Sequence, residues 1–204
     1  MISFKNKKVI VLDLDGTIVD LAADWHNLKQ ILSDRYKIVY GESCKFKHIS
    51  ACLDYIVEKE DEKELKNFFK IIEEYEMRNI DENKEIRETI FFIDNLELFG
   101  VPKDTKLAIF SLNTRKTIIN SLTLAKIYNK FDYIIGREDI RKWKPNPDGL
   151  LRIRDHYGIK KNEMIYFGDL QKDLKTGKNA GIESYLIDEI INLVYKKRAE
   201  MKKT

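Results

Sequence analysis

Five short apolar runs, set apart by longer amphipathic stretches, restrict this 204-residue chain to very few folds. They are Lys8 to Leu12, Lys106 to Phe110, Phe131 to Ile135, Glu163 to Phe167 and Ser184 to Ile187, each of strand length. Helical spacing occupies the intervals, as in Thr114 to Tyr128. Strand alternating with helix implies an α/β fold built on a parallel sheet, and such sheets place ligands beyond the carboxyl ends of their strands.

One interval breaks the rhythm. Leu28, Ile31 and Leu32, then Leu65, Phe68, Phe69, Ile72 and Tyr75, recur at helical spacing with no convincing strand between them. This predicts a helical insert over residues 18–82, joined by hinges near Ile18 and Asn83 to a core made of residues 1–17 and 83–204. Phe68, Phe69, Ile72 and Tyr75 read most simply as the insert's own core.

Chemistry-bearing residues gather where the strands end. Asp13-Leu14-Asp15-Gly16-Thr17 follows the first run directly. Alternation along an extended chain lets Asp13 and Asp15 face one small site, and Gly16 permits a tight turn. A calcium loop fits poorly, because it needs a preceding helix and a Glu near position 24. Ser111 and Asn113 follow the second run and open a helix; either caps that helix or, with its free N–H groups, takes an anion. In Lys142-Trp143-Lys144-Pro145-Asn146-Pro147 the prolines stiffen a loop around Lys144, with Lys142 as its rival. Gly168-Asp169-Leu170-Gln171-Lys172-Asp173 closes the fourth run with two more acids. Carboxylates crowded together repel without a cation, which favours a metal at Asp169; Asp173 either caps the next helix or supports that shell or Lys144.

Composition adds exclusions. Lys plus Arg 37 against Asp plus Glu 34 leaves a net charge of only +3, so neither nucleic acid nor a membrane is required as partner. The basic stretches Lys196-Lys197-Arg198 and Lys202-Lys203 read as solvated termini, and no RNA-binding module with stacked aromatics is visible. Cys44 and Cys52 lie outside any metal motif and read as reduced thiols. With no signal-peptide pattern and no apolar run of spanning length, the chain reads as soluble and cytoplasmic.

Taken together, Asp13-Leu14-Asp15-Gly16-Thr17, Ser111, Lys144 with Pro145, and Gly168-Asp169 to Asp173 resemble, in order and spacing, the four motifs of the haloacid dehalogenase superfamily. The insert's position resembles the helical cap of the branch that includes phosphoglycolate phosphatases and β-phosphoglucomutases. The resemblance implies a three-layer Rossmann-like core with an inserted cap, and a Mg²⁺-dependent phosphatase acting on a small phosphorylated metabolite through an aspartyl-phosphate. In its terms Asp13 is the nucleophile and Asp15 the general acid and base. Ser111, Lys144 and Asn113 hold the phosphate, and Asp173 supports them. Asp13, the Asp15 backbone carbonyl and Asp169 hold the metal. Leu112 departs from the family pattern by separating Ser111 from Asn113. Asp15 argues against dehalogenation, which needs neither that carboxylate nor magnesium. A phosphosugar mutase shares the aspartyl-phosphate and is the alternative, with a non-catalytic binding protein behind it. Trp25, His26, Arg35 and Arg78 in the insert suit a phosphorylated ligand, but each also has an ordinary structural role and none is assigned.

Overall fold

Residues 2–46 and 48–202 are described by a computed structural model. Strand β1 (Val9–Leu12) runs into the acidic turn and then into β2 (Val19–Asp20), which pairs antiparallel with β3 (Lys84–Glu85). Between these short strands lie three helices, α1 (Trp25–Tyr40), α2 (Ile49–Glu58) and α3 (Glu62–Met77). After β3 the chain alternates: α4 (Arg87–Asp94), β4 (Lys106–Phe110), α5 (Arg115–Leu124), β5 (Phe131–Ile135), α6 (Asp148–Tyr157), β6 (Met164–Gly168), α7 (Gln171–Ala180), β7 (Glu183–Leu186) and α8 (Asp188–Met201).

The five long strands form one parallel sheet in the order β5-β4-β1-β6-β7. β1 is its centre and every residue of it is buried, which is why the run reads as uninterrupted apolar sequence. Alternate side chains feed two cores. Val9, Val11, Ala108, Phe110 and Tyr166 face Leu150 and Ile153 of α6 on one side. Ile10, Leu12, Ile109 and Phe167 face α4, α5 and α8 through Phe92, Ile118 and Val194 on the other. The result is the three-layer α/β arrangement.

Aspartates start two of the helices between β2 and β3. Asp24 accepts from Asn27 N–H at 3.0 Å to begin α1, and Asp61 from Glu64 N–H at 3.0 Å to begin α3. These helices pack through Leu28, Leu32, Tyr36, Leu53, Phe68 and Ile72. Asn83 ties the returning chain down: its Oδ1 accepts from Ala22 N–H at 2.9 Å and its Nδ2 donates to Ser121 Oγ at 3.2 Å.

Three features depart from the sequence reading. Helix α5 stops at Leu124 rather than near Tyr128, because Lys126 adopts a φ of 59° and Ile127 N–H turns back to Leu122 O at 3.0 Å, which buries Ile127. Cys44 and Cys52 are paired as a disulfide, not left as thiols. The two Cα atoms lie 6.1 Å apart, within bridging range. Arg198 in the C-terminal basic run is engaged rather than simply solvated, pairing with Glu88 at 3.5 Å and lying 4.4 Å over the Phe91 ring; Lys203 of that run lies outside the described residues. Among the described residues no helix is long and apolar enough to cross a membrane.

Helix α6 approaches the sheet closely at Gly149, where an added Cβ would meet the Phe110 ring at 2.3 Å. Gly149→Ala is expected to lower the unfolding free energy by about 1–3 kcal/mol through overpacking, measured by urea denaturation.

Candidate active site

The central strand delivers Asp13 to its carboxyl end, and Asp13 N–H still donates to Phe167 O at 2.9 Å, so the backbone beneath the carboxylate stays in register with β6. Gly16 then turns the chain with a φ of 72°. A Cβ there would lie 2.6 Å from Asp169 Oδ2, so glycine is favoured both by the turn and by the approach of the Asp169 side chain. Asp169 and Asp173 follow β6. One carboxylate oxygen each of Asp13, Asp169 and Asp173 falls within a 4.8 Å cluster.

Lys144 enters this cluster from the loop after β5, preceding the cis-linked Pro145. Its Nζ is fully buried and donates to Asp13 Oδ2 at 2.8 Å and Asp173 Oδ1 at 2.9 Å. It also lies 4.8 Å over the Phe110 ring and 5.3 Å over that of Tyr166. Burial opposes the ammonium charge, but Asp13 and Asp173 outweigh it and hold the Lys144 pKa above its ordinary value. The rival, Lys142, is exposed.

Asp173 is heavily engaged. Besides Lys144 it accepts from Tyr166 OH at 2.7 Å and Leu170 N–H at 3.0 Å. Burial would raise its pKa, yet Lys144 and these hydrogen bonds hold it below the usual carboxylate range. It is the third residue of α7 and reaches back to the residue before the helix, so it positions Lys144 and does not cap α7 by itself. Asp13 and Asp169 are then the members with more coordination to offer. Burial, then the charges of Asp13 and Asp173, push Asp169 up to about 6. A hard divalent cation accepting oxygen ligands fits this crowding. Burial also pushes Asp15 up to about 7, aided by the charges of Asp13, Asp169 and Glu76 and opposed by the 2.9 Å hydrogen bond from Leu21 N–H.

Ser111 and Asn113 sit at the end of β4, but they engage each other. Ser111 Oγ donates to Asn113 Oδ1 at 2.8 Å, and Asn113 Nδ2 donates to Glu76 Oε1 at 3.0 Å. The helix start behind them is not open either. Thr114 N–H donates to Glu76 at 2.9 Å and Arg115 N–H to Glu138 at 3.0 Å, so protein carboxylates occupy the donors read from sequence as free for an anion.

Glu76 comes from α3 and is 1% exposed, which makes it the polar tie between the inserted helices and the sheet. Its place on the Phe68–Ile72 stripe was the available signal, masked by the surrounding charges of Glu73-Glu74-Tyr75-Glu76. Arg137, also buried, follows β5 and belongs to no motif that the sequence singles out. Arg137 borders the cleft above the strand ends, a space of about 680 Å³ that also meets Trp25, Lys29 and Leu170. Of the other insert residues named from sequence, His26 is exposed, Arg35 pairs with Glu64 at 2.9 Å, and Arg78 stacks on Tyr75 at 4.1 Å.

Residues 10–187 match the family described as haloacid dehalogenase-like hydrolase. A haloacid dehalogenase-like hydrolase domain-containing protein of Arabidopsis thaliana is 31% identical over 88% of this chain and 70% of its own length. The pyrophosphatase PpaX of Halalkalibacterium halodurans is 37% identical over 40% of this chain and 38% of its own length. In structure the chain is similar to a haloacid dehalogenase-like hydrolase of Bacteroides fragilis, with a TM-score of 0.65, 22% identity, and 87% and 86% of the two chains covered.

Removing the shared cation strands two buried acids. Lys144→Met is expected to cost about 3–5 kcal/mol of unfolding free energy, and in a double-mutant cycle Asp173→Asn should recover part of that loss. Urea denaturation of the four proteins reads both terms.

Proposed function

This chain belongs to the haloacid dehalogenase-like hydrolases, and we propose that it is a Mg²⁺-dependent phosphatase that hydrolyses a small phosphate monoester through an aspartyl-phosphate. The observation that carries this reading is the buried Asp13–Lys144–Asp173 group with Asp169 beside Asp13, at the carboxyl ends of β1 and β6. In the same reading residues 18–82 form the cap over a core of residues 1–17 and 83–204.

An Asp13 carboxylate oxygen attacks phosphorus, the bond from phosphorus to the ester oxygen breaks, and Asp15 gives its proton to the departing oxygen. Asp15, now ionised, takes a proton from water; the water oxygen attacks phosphorus, and the bond to Asp13 breaks to release phosphate. Lys144 holds charge beside Asp13 in both steps while Asp173 and Tyr166 fix its position. Ser111 meets the phosphoryl oxygens by turning its hydroxyl from Asn113. Asn113, bonded on both amide atoms, keeps that loop in shape. Asp13, Asp169 and the Asp15 carbonyl would hold Mg²⁺, which when bound supplies charge neutralisation between the carboxylates and the phosphate. The names of the PpaX relatives point to phosphoanhydride hydrolysis as one activity to include in any assay.

Phosphate release from a panel of esters, with Mg²⁺ or with EDTA, tests the proposal. Asp13→Asn is expected to reduce kcat by about a thousandfold or more, and an unchanged rate sinks the mechanism. The pH profile follows from Asp15. Its proton is needed for the leaving group and is lost as pH rises through about 7. Above that pH, kcat/KM for an alkyl phosphate should fall by about tenfold per unit, with a shallower fall for p-nitrophenyl phosphate, whose leaving group needs no proton.

A further inference from the structure

Arg137 is a buried cation with work undone. It is 4% exposed, borders the cleft with Asp13, Ser111 and Lys144, and its Nε and Nη1 have no hydrogen-bond partner. A buried guanidinium without partners carries a large desolvation cost unless an anion meets it. The charges of Glu76 and Glu138 offset part of that cost, but Glu76 is turned onto Asn113 and Thr114 and forms no ion pair with Arg137 within 4 Å. The main chain of Arg137 is fixed on both sides: its N–H donates to Asn113 O at 2.9 Å, and Trp143 Nε1 donates to its carbonyl at 2.9 Å. Arginine was therefore placed there by a rigid frame.

Its position in the sheet says which anion it would meet. Asp13 stands on β1, with Asp169 on the β6 side and Ser111 on the β4 side. Arg137 follows β5, one strand beyond Ser111 and roughly 10 Å of sheet width from β1. The reacting phosphoryl already has Lys144 next to its nucleophile. A group bound by Arg137 lies on the far side of that phosphoryl from Asp169. Charge in the rest of the cleft agrees: Lys29, Lys172 and Lys175 line it against the two further carboxylates of Asp15 and Asp54.

We propose that Arg137 is a specificity residue that binds a second anionic group on the substrate, a carboxylate or a further phosphate, beside the phosphoryl that is transferred. This rests on the phosphatase reading of the same site. The preferred substrates are then doubly anionic esters or anhydrides, not esters of neutral alcohols.

Matched pairs test it: 2-phosphoglycolate against 2-hydroxyethyl phosphate for the carboxylate, and inorganic diphosphate against methyl phosphate for the second phosphate. The wild-type protein is expected to favour the charged member of one pair at least tenfold in kcat/KM, and the identity of that pair tells carboxylate from phosphate. In Arg137→Gln that ratio should fall by about tenfold or more, carried mainly by KM, and Arg137→Lys should restore part of it. A ratio that stays constant while both members fall overturns the proposal, since a structural role or contact with the transferred phosphoryl moves both alike. So does a wild-type protein with no preference in either pair. Calorimetric titration of the same four compounds into Asp13→Asn protein, with and without Arg137→Gln, gives a readout free of turnover. Selective binding of charged members that Arg137→Gln removes supports Arg137 even if the phosphatase reading fails, and equal binding of both members rejects it.

Discussion

Lys144 between Asp13 and Asp173 is the interaction on which the site depends, and the surrounding fold is arranged to supply its three parts. β1 brings Asp13, the loop after β5 brings the lysine, and the first turn of α7 brings Asp173. An ammonium with no exposed surface is tolerable only because two carboxylates and two aromatic faces surround it. The sequence separation is large, 131 residues between Lys144 and Asp13, so the contact exists only once the central sheet has assembled. Asp13 and its lysine partner are thus in place before any substrate arrives, which in the proposed reaction spares reorganisation.

Glu76 gives the helices between β2 and β3 a comparable stake in the sheet. Its carboxylate holds Asn113 and Thr114, one residue away from the loop of Ser111, while Phe69 meets the Trp143 ring edge-on and Glu62 pairs with Arg141 at 3.1 Å. The wall of the cleft and its floor therefore share buried polar atoms. A shift of α3 would leave buried donors unmet, and such groups are costly.

The fold was legible because a central parallel strand must be apolar on both faces, and Val9 to Leu12 is; the flanking strands repeat that pattern within a residue or two. The residues at their ends were legible for the same reason, since Asp13, Lys144 and Asp169 interrupt apolar or proline-fixed sequence where nothing in packing asks for charge. Glu76 and Arg137 were hidden among many charged neighbours, and only the meeting of α3 with the loop after β5 distinguishes them. The Cys44–Cys52 pairing depends on how closely the two Cα atoms approach, which no spacing in the sequence reveals. The early end of α5 turns on one backbone angle at Lys126, which propensity does not reveal.

The occupied start of α5 has a consequence for how the cleft is charged. A helix end offers a partial positive charge built from backbone, which no substitution of side chains can remove. Here Glu76 and Glu138 spend that end on the protein itself. The attraction that draws in an anion is left to Lys144, Arg137 and the lysines of the rim. Such an inventory is modular: it can be altered one residue at a time, weakened by salt at the rim and scarcely at all in the interior. Divergence in ligand choice among proteins sharing this frame then requires no change in the sheet, only an exchange of one cationic side chain for another group.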